Sequence, residues 1–214
     1  MSNITMTGGE ALLRSLEPEQ IPLVAGVVGG KLAPFLKLAE EQILTSPRQP
    51  IVLLRQCAAA RDVVAPNVAP GSPDLGAMLA YTPLHHLLMR ELDFPLVATS
   101  GNISDEPMVS DERVALSRLG PIADLLLVHD RPIAHAIDDS VVRLIGGREA
   151  VLRRARGHSP AAFPLSRTPP GILALGGHQK AAVAVTTPDA IVLGPHIGDL
   201  DSSEARDAYA RTID

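Results

Sequence analysis

Apolar residues come in short runs, and proline or glycine closes most of them. Glycines interrupt residues 1–30, where 9–16 has the spacing of a short helix carrying Leu12, Leu13 and Leu16. Helical spacing returns over 31–44, with Leu32, Phe35, Leu36, Ala39 and Ile43 near one stripe and Pro34 in the first turn. Residues 51–54 read as a compact strand. Residues 57–78 are rich in Ala, Pro and Gly and read as a loop, with a short strand at 75–79. Thr82 and Pro83 carry the signature of a helix start, as N-cap and first helical residue, and that helix runs to Arg90.

A second group of elements follows. Residues 95–98 are an apolar strand that ends in the turn Thr99-Ser100-Gly101-Asn102. Residues 105–119 predict an amphipathic helix stopped by Gly120-Pro121, and 122–129 a buried strand. Residues 140–145 and 149–154 predict a hairpin around Gly146-Gly147. Four prolines and no periodicity make 158–171 a linker. Strands at 172–175, 181–186 and 190–193 and a helix from Ser202 complete the chain. The residues after the linker are too few for a large α/β core, so the pattern predicts a chain that ends inside a domain.

Composition narrows the function classes. The chain has 214 residues, 46% hydrophobic and 20% charged, which is globular. Aromatics are 2% with no Trp, so aliphatic side chains must build the core. A net charge of −5 argues against nucleic acid as the default partner. The single cysteine, Cys57, excludes an intrachain disulfide and fits a reducing, cytoplasmic setting. Neither a signal peptide nor a membrane span is expected.

Candidate chemistry gathers at strand ends. Thr99, Ser100 and Asn102 place hydroxyls and an amide where α/β folds bind small ligands, although the same residues make ordinary turns. Asp138 and Asp139 offer a Mg²⁺ ligand pair, or a solvated turn. Ser140 follows them. Arg153, Arg154 and Arg156 can hold phosphate, or blunt an edge strand. By period two, Arg154 and Arg156 share a face and Arg153 takes the other. Gly176-Gly177-His178-Gln179-Lys180 is a glycine turn with a lysine. His85 and His86 diverge by about 100° on a helix, so one packs and the other points elsewhere.

Taken together, MLAYTPLHHLLM, PLVATSGNISDEP, HDRPIAHAIDDSVVR, LRRARGHSP, LALGGHQK and HIGDL resemble, in order and spacing, the [NiFe]-hydrogenase maturation carbamoyltransferases of the HypF family, over residues 48–214. The resemblance implies an α/β fold: a YrdC-like mixed twisted sheet with helices over 1–157, its N-terminal part truncated or diverged. The linker follows, then over 172–214 the truncated first part of an actin/Hsp70-type (Kae1-like) domain. It implies ATP with Mg²⁺, carbamoyl phosphate as substrate, and a HypE-type partner protein whose cysteine receives the carbamoyl group. Ser100 and Asn102 match the family's Ser-x-Asn contacts beside Thr99, and Ser140 matches a hydroxyl at the next strand. Arg153, Arg154 and Arg156 lie in its arginine strand, and Gly176 and Lys180 in its phosphate turn. Zinc belongs to the longer family members, since one cysteine cannot form a Cys₄ site.

The chain also departs from that pattern. The superfamily's Lys-x-Arg and Lys-Pro motif is not evident in residues 1–50, and Ala181-Ala182 stands where the family favours Asn-Thr. The His-rich metal site of the family falls beyond Asp214. Two alternatives remain: a threonylcarbamoyl-adenylate synthase for tRNA modification, and a non-catalytic remnant that binds nucleotide or a partner. Double-stranded RNA or tRNA enters only by superfamily analogy.

Overall fold

The computed structural model describes residues 38–56, 64–65, 67–92, 94–104, 106–167, 169 and 171–213. The short helix expected at 9–16 and the first half of the one expected at 31–44 lie outside them. The first described element is helix α1, Leu38–Leu44. It ends where the Thr45 hydroxyl donates back to the Glu41 carbonyl at 2.8 Å.

Four strands form the first sheet: β1 (Ile51–Arg55), β2 (Asp74–Ala77), β3 (Val141–Ile145) and β4 (Arg148–Arg153). Their order is β2-β1-β3-β4, with β1 and β3 parallel and the other pairs antiparallel. Register explains the core. Ala77 pairs with Val52, Val52 with Val142 and Val142 with Val151, so one row of small apolar side chains crosses the sheet. Ala77, Val52 and Val142 are fully buried. Leu44, Leu54, Val68 and Leu75 close on the same cluster, and Val97 packs against it. The β3–β4 hairpin turns at Gly146 and Gly147, both at positive φ, as its sequence predicts.

Helix α2 is Pro83–Leu92, and the His85 amide bonds to the Thr82 hydroxyl at 3.1 Å, the predicted cap. Helix α3 is shorter than predicted, Glu112–Arg118. Asp111 accepts the Arg113 and Val114 amides and so starts the helix there, while Pro107 cannot donate to an earlier turn.

The second sheet is antiparallel, with order β5-β8-β7-β6: β5 (Ala161–Pro164), β6 (Leu173–Ala174), β7 (Ala184–Thr186) and β8 (Ala190–Leu193). Helix α4, Ser203–Ile213, opens on Ser202, whose hydroxyl accepts the Ala205 amide at 3.1 Å. Packing here is thin. Val183 and Ala181 are buried, but Leu173, Leu175 and Val185 are exposed.

Three expectations need correction. Residues 95–98 join no ladder; Leu96 is buried and Val97 half-buried, so they add apolar contact without strand pairing. Residues 122–129 form no strand among the described residues, and Leu125 and Leu127 are 77% and 74% exposed. An apolar run specifies the capacity for burial and not a strand partner; the central strands β1 and β3 are taken, and neither run pairs with the free sides of β2 or β4. Finally, β5 lies inside the segment expected to be structureless. It pairs with β8 from Ala161↔Leu193 to Pro164↔Ala190. Proline at the end of an edge strand leaves that ladder intact.

Candidate functional site

The Ser100 turn is built by its neighbours. Thr99 and Ser100 are exposed at the end of residues 95–98. Asn102 turns inward, and its Nδ2 donates to the Ile103 and Glu106 carbonyls, both at 2.9 Å. The Val109 amide donates to Gly101 at 2.9 Å, which closes the loop. Asn102 therefore staples the turn that presents the two hydroxyls.

Asp138, Asp139 and Ser140 form the second part. Ser140 is fully buried, and its Oγ accepts the Ala155 amide at 2.8 Å. Asp138 faces Arg153 at 3.8 Å and its carbonyl accepts the Arg156 amide. Asp139 accepts Arg156 Nε at 2.7 Å through its carboxylate and Arg153 Nε at 2.9 Å through its carbonyl. Arg156 also donates to the Gln49 carbonyl at 2.8 Å and lies 3.5 Å over the Tyr81 ring. Arg154 turns away, to the His158 carbonyl at 3.1 Å and over the Phe163 ring.

The predicted pairing of the arginines is thus reversed. Arg153 and Arg156 serve the two aspartates, and Arg154 stands apart. Period two holds only along an extended strand, and β4 ends at Arg153 after a register shift opposite Val141/Val142. Asp139 is held by Arg156 and Asp138 faces Arg153, and both carboxylates are half-buried beside a guanidinium. Among the described residues no group of three His, Cys, Asp or Glu side chains could hold a metal ion.

Gly176 and Lys180 share one turn. Gly176 has φ +73°, and a Cβ there would stand 2.5 Å from the Ala182 carbonyl oxygen, so glycine is required. Lys180 bonds Asp199 twice, through its amide at 2.7 Å and Nζ at 3.0 Å. That backbone bond, then the lysine side chain, holds the Asp199 carboxyl below its ordinary value. His178 pairs with Asp201 at 2.7 Å.

The segment around His196 joins the arginine end of the first sheet to this turn. The His196 amide donates to the Arg154 carbonyl at 2.7 Å, and the Ile197 amide to the Ala181 carbonyl at 2.9 Å. Burial pushes the His196 imidazole below its ordinary value; Asp138 opposes this, and Arg153 and Lys180 reinforce it. The structure therefore brings Arg153, Arg156, Ser140, Gly176 and Lys180 into one neighbourhood. No hydrogen bond or ion pair among the described residues ties Thr99, Ser100 or Asn102 to it. Their link is packing, since Val97 shares the core of Val142.

Pattern reading missed Tyr81, His196 and Asp199. Tyr81 lies under Arg156, and burial raises its phenol. His85 packs edge-on against Tyr81, with ring centroids 4.7 Å apart, while His86 is exposed, as the helical spacing predicts. Burial pushes the His85 imidazole down. No spacing rule links Tyr81 to Arg156 or Lys180 to Asp199, because tertiary folding creates both pairs. A separate open cavity of about 520 Å³ lies between β4 and β5, lined by Arg48, Glu149, Arg154, His158 and Phe163 among others. Of the predicted site residues it holds Arg154 alone.

This arrangement matches known proteins. The family described as Telomere recombination (Sua5/YciO/YrdC) matches residues 28–155, and the HypF Kae1-like domain matches 167–214. The chain belongs to the Sua5/YciO/YrdC family, in the two-part arrangement of the HypF proteins. The carbamoyltransferase HypF of Synechocystis is 45% identical over 175 residues, covering 81% of this chain and 23% of the relative. That of Rhizobium leguminosarum is 44% identical, covering 78% and 22%. This chain thus spans under a quarter of either. A crystal structure of full-length HypF in the phosphate- and nucleotide-bound form superposes with a TM-score of 0.85 at 37% identity, covering 95% of this chain and 32% of that one. HypF of T. kodakarensis gives 0.84 at 31%, covering 96% and 27%. The family match begins at residue 28, twenty residues before the similarity legible in the motifs.

Proposed function

We propose that this chain is part of a carbamoyltransferase of [NiFe]-hydrogenase maturation. In this reading carbamoyl phosphate is hydrolysed to carbamate and phosphate. Carbamate oxygen attacks the α-phosphate of ATP, giving carbamoyl adenylate and pyrophosphate. The carbamoyl group passes to a cysteine thiol of a HypE-type partner, releasing AMP. The observation that carries the reading is the succession, in one chain, of a YrdC-type unit and the beginning of a HypF Kae1-like unit.

The residues divide the work by chemistry. Thr99 and Ser100 are exposed and can donate to phosphate oxygens, and Asn102 fixes their turn. Arg153 and Arg156, paired with Asp138 and Asp139, supply positive charge from the other side of the first sheet's core. Ser140 contributes by holding the Ala155 amide and so the arginine end of the strand. Gly176 and Lys180 form a phosphate turn for the second unit. Adenylation needs an in-line geometry and neutralised charge on departing pyrophosphate. Here each of Arg153, Arg156 and Lys180 already faces a carboxylate, so the net charge offered to a triphosphate is small. Mg²⁺ would arrive with ATP, and Asp138 and Asp139 each face an arginine in its absence.

ATP–pyrophosphate exchange tests the proposal, run on this chain and on one extended upstream. Exchange that requires carbamoyl phosphate is expected, weaker in the shorter chain. Exchange that requires threonine and bicarbonate would transfer the chain to tRNA modification. Nucleotide binding with no exchange in either chain would make it a binding remnant.

A further inference from the structure

Helix α3 lies between the Ser100 turn and the C-terminal helix α4, and it touches both. Arg118, near its end, forks: one guanidinium nitrogen bonds Glu106 Oε1 at 2.6 Å and the other Glu204 Oε1 at 2.8 Å. Glu106 belongs to the loop that Asn102 staples, since its carbonyl accepts Asn102 Nδ2. Glu204 belongs to the first turn of α4. Leu119, which caps the end of α3, packs over the turn: its Cδ1 lies 3.8 Å from where a Cβ on Gly101 would be. A planar fork with two carboxylates fixes the angle between their carriers as well as their separation.

We infer that Arg118 is a positioning residue that couples the Ser100–Asn102 turn to helix α4, so that the second unit sets how the first presents its hydroxyls. The inference deepens the proposed function and rests on Ser100 and Asn102 as nucleotide contacts. The coupling itself rests only on the geometry above. The Glu204 carboxyl responds to the same arrangement and is held at about 2, first by the Arg118 hydrogen bond. Glu106 and Glu204 would repel without the guanidinium between them. Loss of one arm therefore loosens the loop on the other side of α3, and not α4 alone.

The test is amide hydrogen exchange on the whole chain, comparing the natural sequence with Glu204→Gln. The Asn102, Glu106 and Val109 amides, which bond to Ser100, Ile103 and Gly101, should exchange about two- to fivefold faster, the size of effect of a part-exposed ion pair. Val52 and Val142 in the core should not change. Arg118→Lys, which keeps the charge but loses the fork, should reproduce most of the effect. Faster exchange confined to α4, with the three loop amides unmoved, would overturn the inference. Pyrophosphate exchange supplies the functional arm, with a raised KM for ATP and a nearly unchanged kcat expected for Glu204→Gln. If no variant or natural chain exchanges pyrophosphate, the functional reading fails while the amide result still decides the coupling.

Discussion

Ser140 shows how a fully buried hydroxyl can hold the arginine end of a strand in place. Its hydroxyl lies at zero exposure and receives the Ala155 amide. Removing the acceptor leaves a buried N–H with no partner, which costs the desolvation of that group, roughly 1–3 kcal/mol. Ser140→Ala should lower the unfolding free energy by that amount, read as a lower urea midpoint at unchanged slope, and the first sign should be loss of order at Arg153 and Arg156. A change below about 0.5 kcal/mol would mean that the amide finds another acceptor. Arg156 is held on three sides, by Asp139, the Gln49 carbonyl and the Tyr81 ring. Such a guanidinium is preorganised, and lysine could not replace it at either the fork or the ring.

Among the elements, the legible ones carry their own end signals. Thr82-Pro83 starts α2, Gly146-Gly147 turns the hairpin, and Ser202 opens α4. Residues 122–129 carry only an apolar run, and a run does not name its partner. Alternation does not give the arginine faces, because the strand ends at Arg153. Tyr81 and Asp199 had no local signal at all; the fold brings them to the site. The same contrast predicts mutational cost. Leu44, 1% exposed in the core cluster, should lose about 2–5 kcal/mol on Leu44→Ala. Leu125→Ser should stay within about 0.5 kcal/mol, because the side chain is already in solvent. Thermal or urea unfolding separates the two. A large loss at Leu125 would reveal a packing partner for residues 122–128.

For the whole molecule, the His196–Arg154 backbone bond ties the end of the second sheet to the end of the first, and the Arg118 fork ties helix α3 and the Glu106 loop to helix α4. Only the second titrates at acid pH. Glu204 is depressed from 4.5 to about 2, so its contribution is complete above about 4.5 and disappears as pH falls toward 2. The groups facing it are Arg118, Ser203 and, across the guanidinium, Glu106. A carboxyl carbon NMR titration of Glu204 should find a midpoint near 2, rising toward 4.5 in Arg118→Ala; equal midpoints would show that the fork is open in solution. Finally, β5 changes where the chain can be divided. Residues 156–166 fall between the two family matches, yet they contain the outer strand of the second sheet. A second unit begun at residue 167 would therefore lack its own border and would present the backbone of β8 as an adhesive edge, ready to add a strand from another molecule. A unit begun before Ala161 brings its own cover, so a half cut ahead of that residue is expected to stay monomeric where one cut at 167 pairs with itself, a difference that size-exclusion chromatography would read.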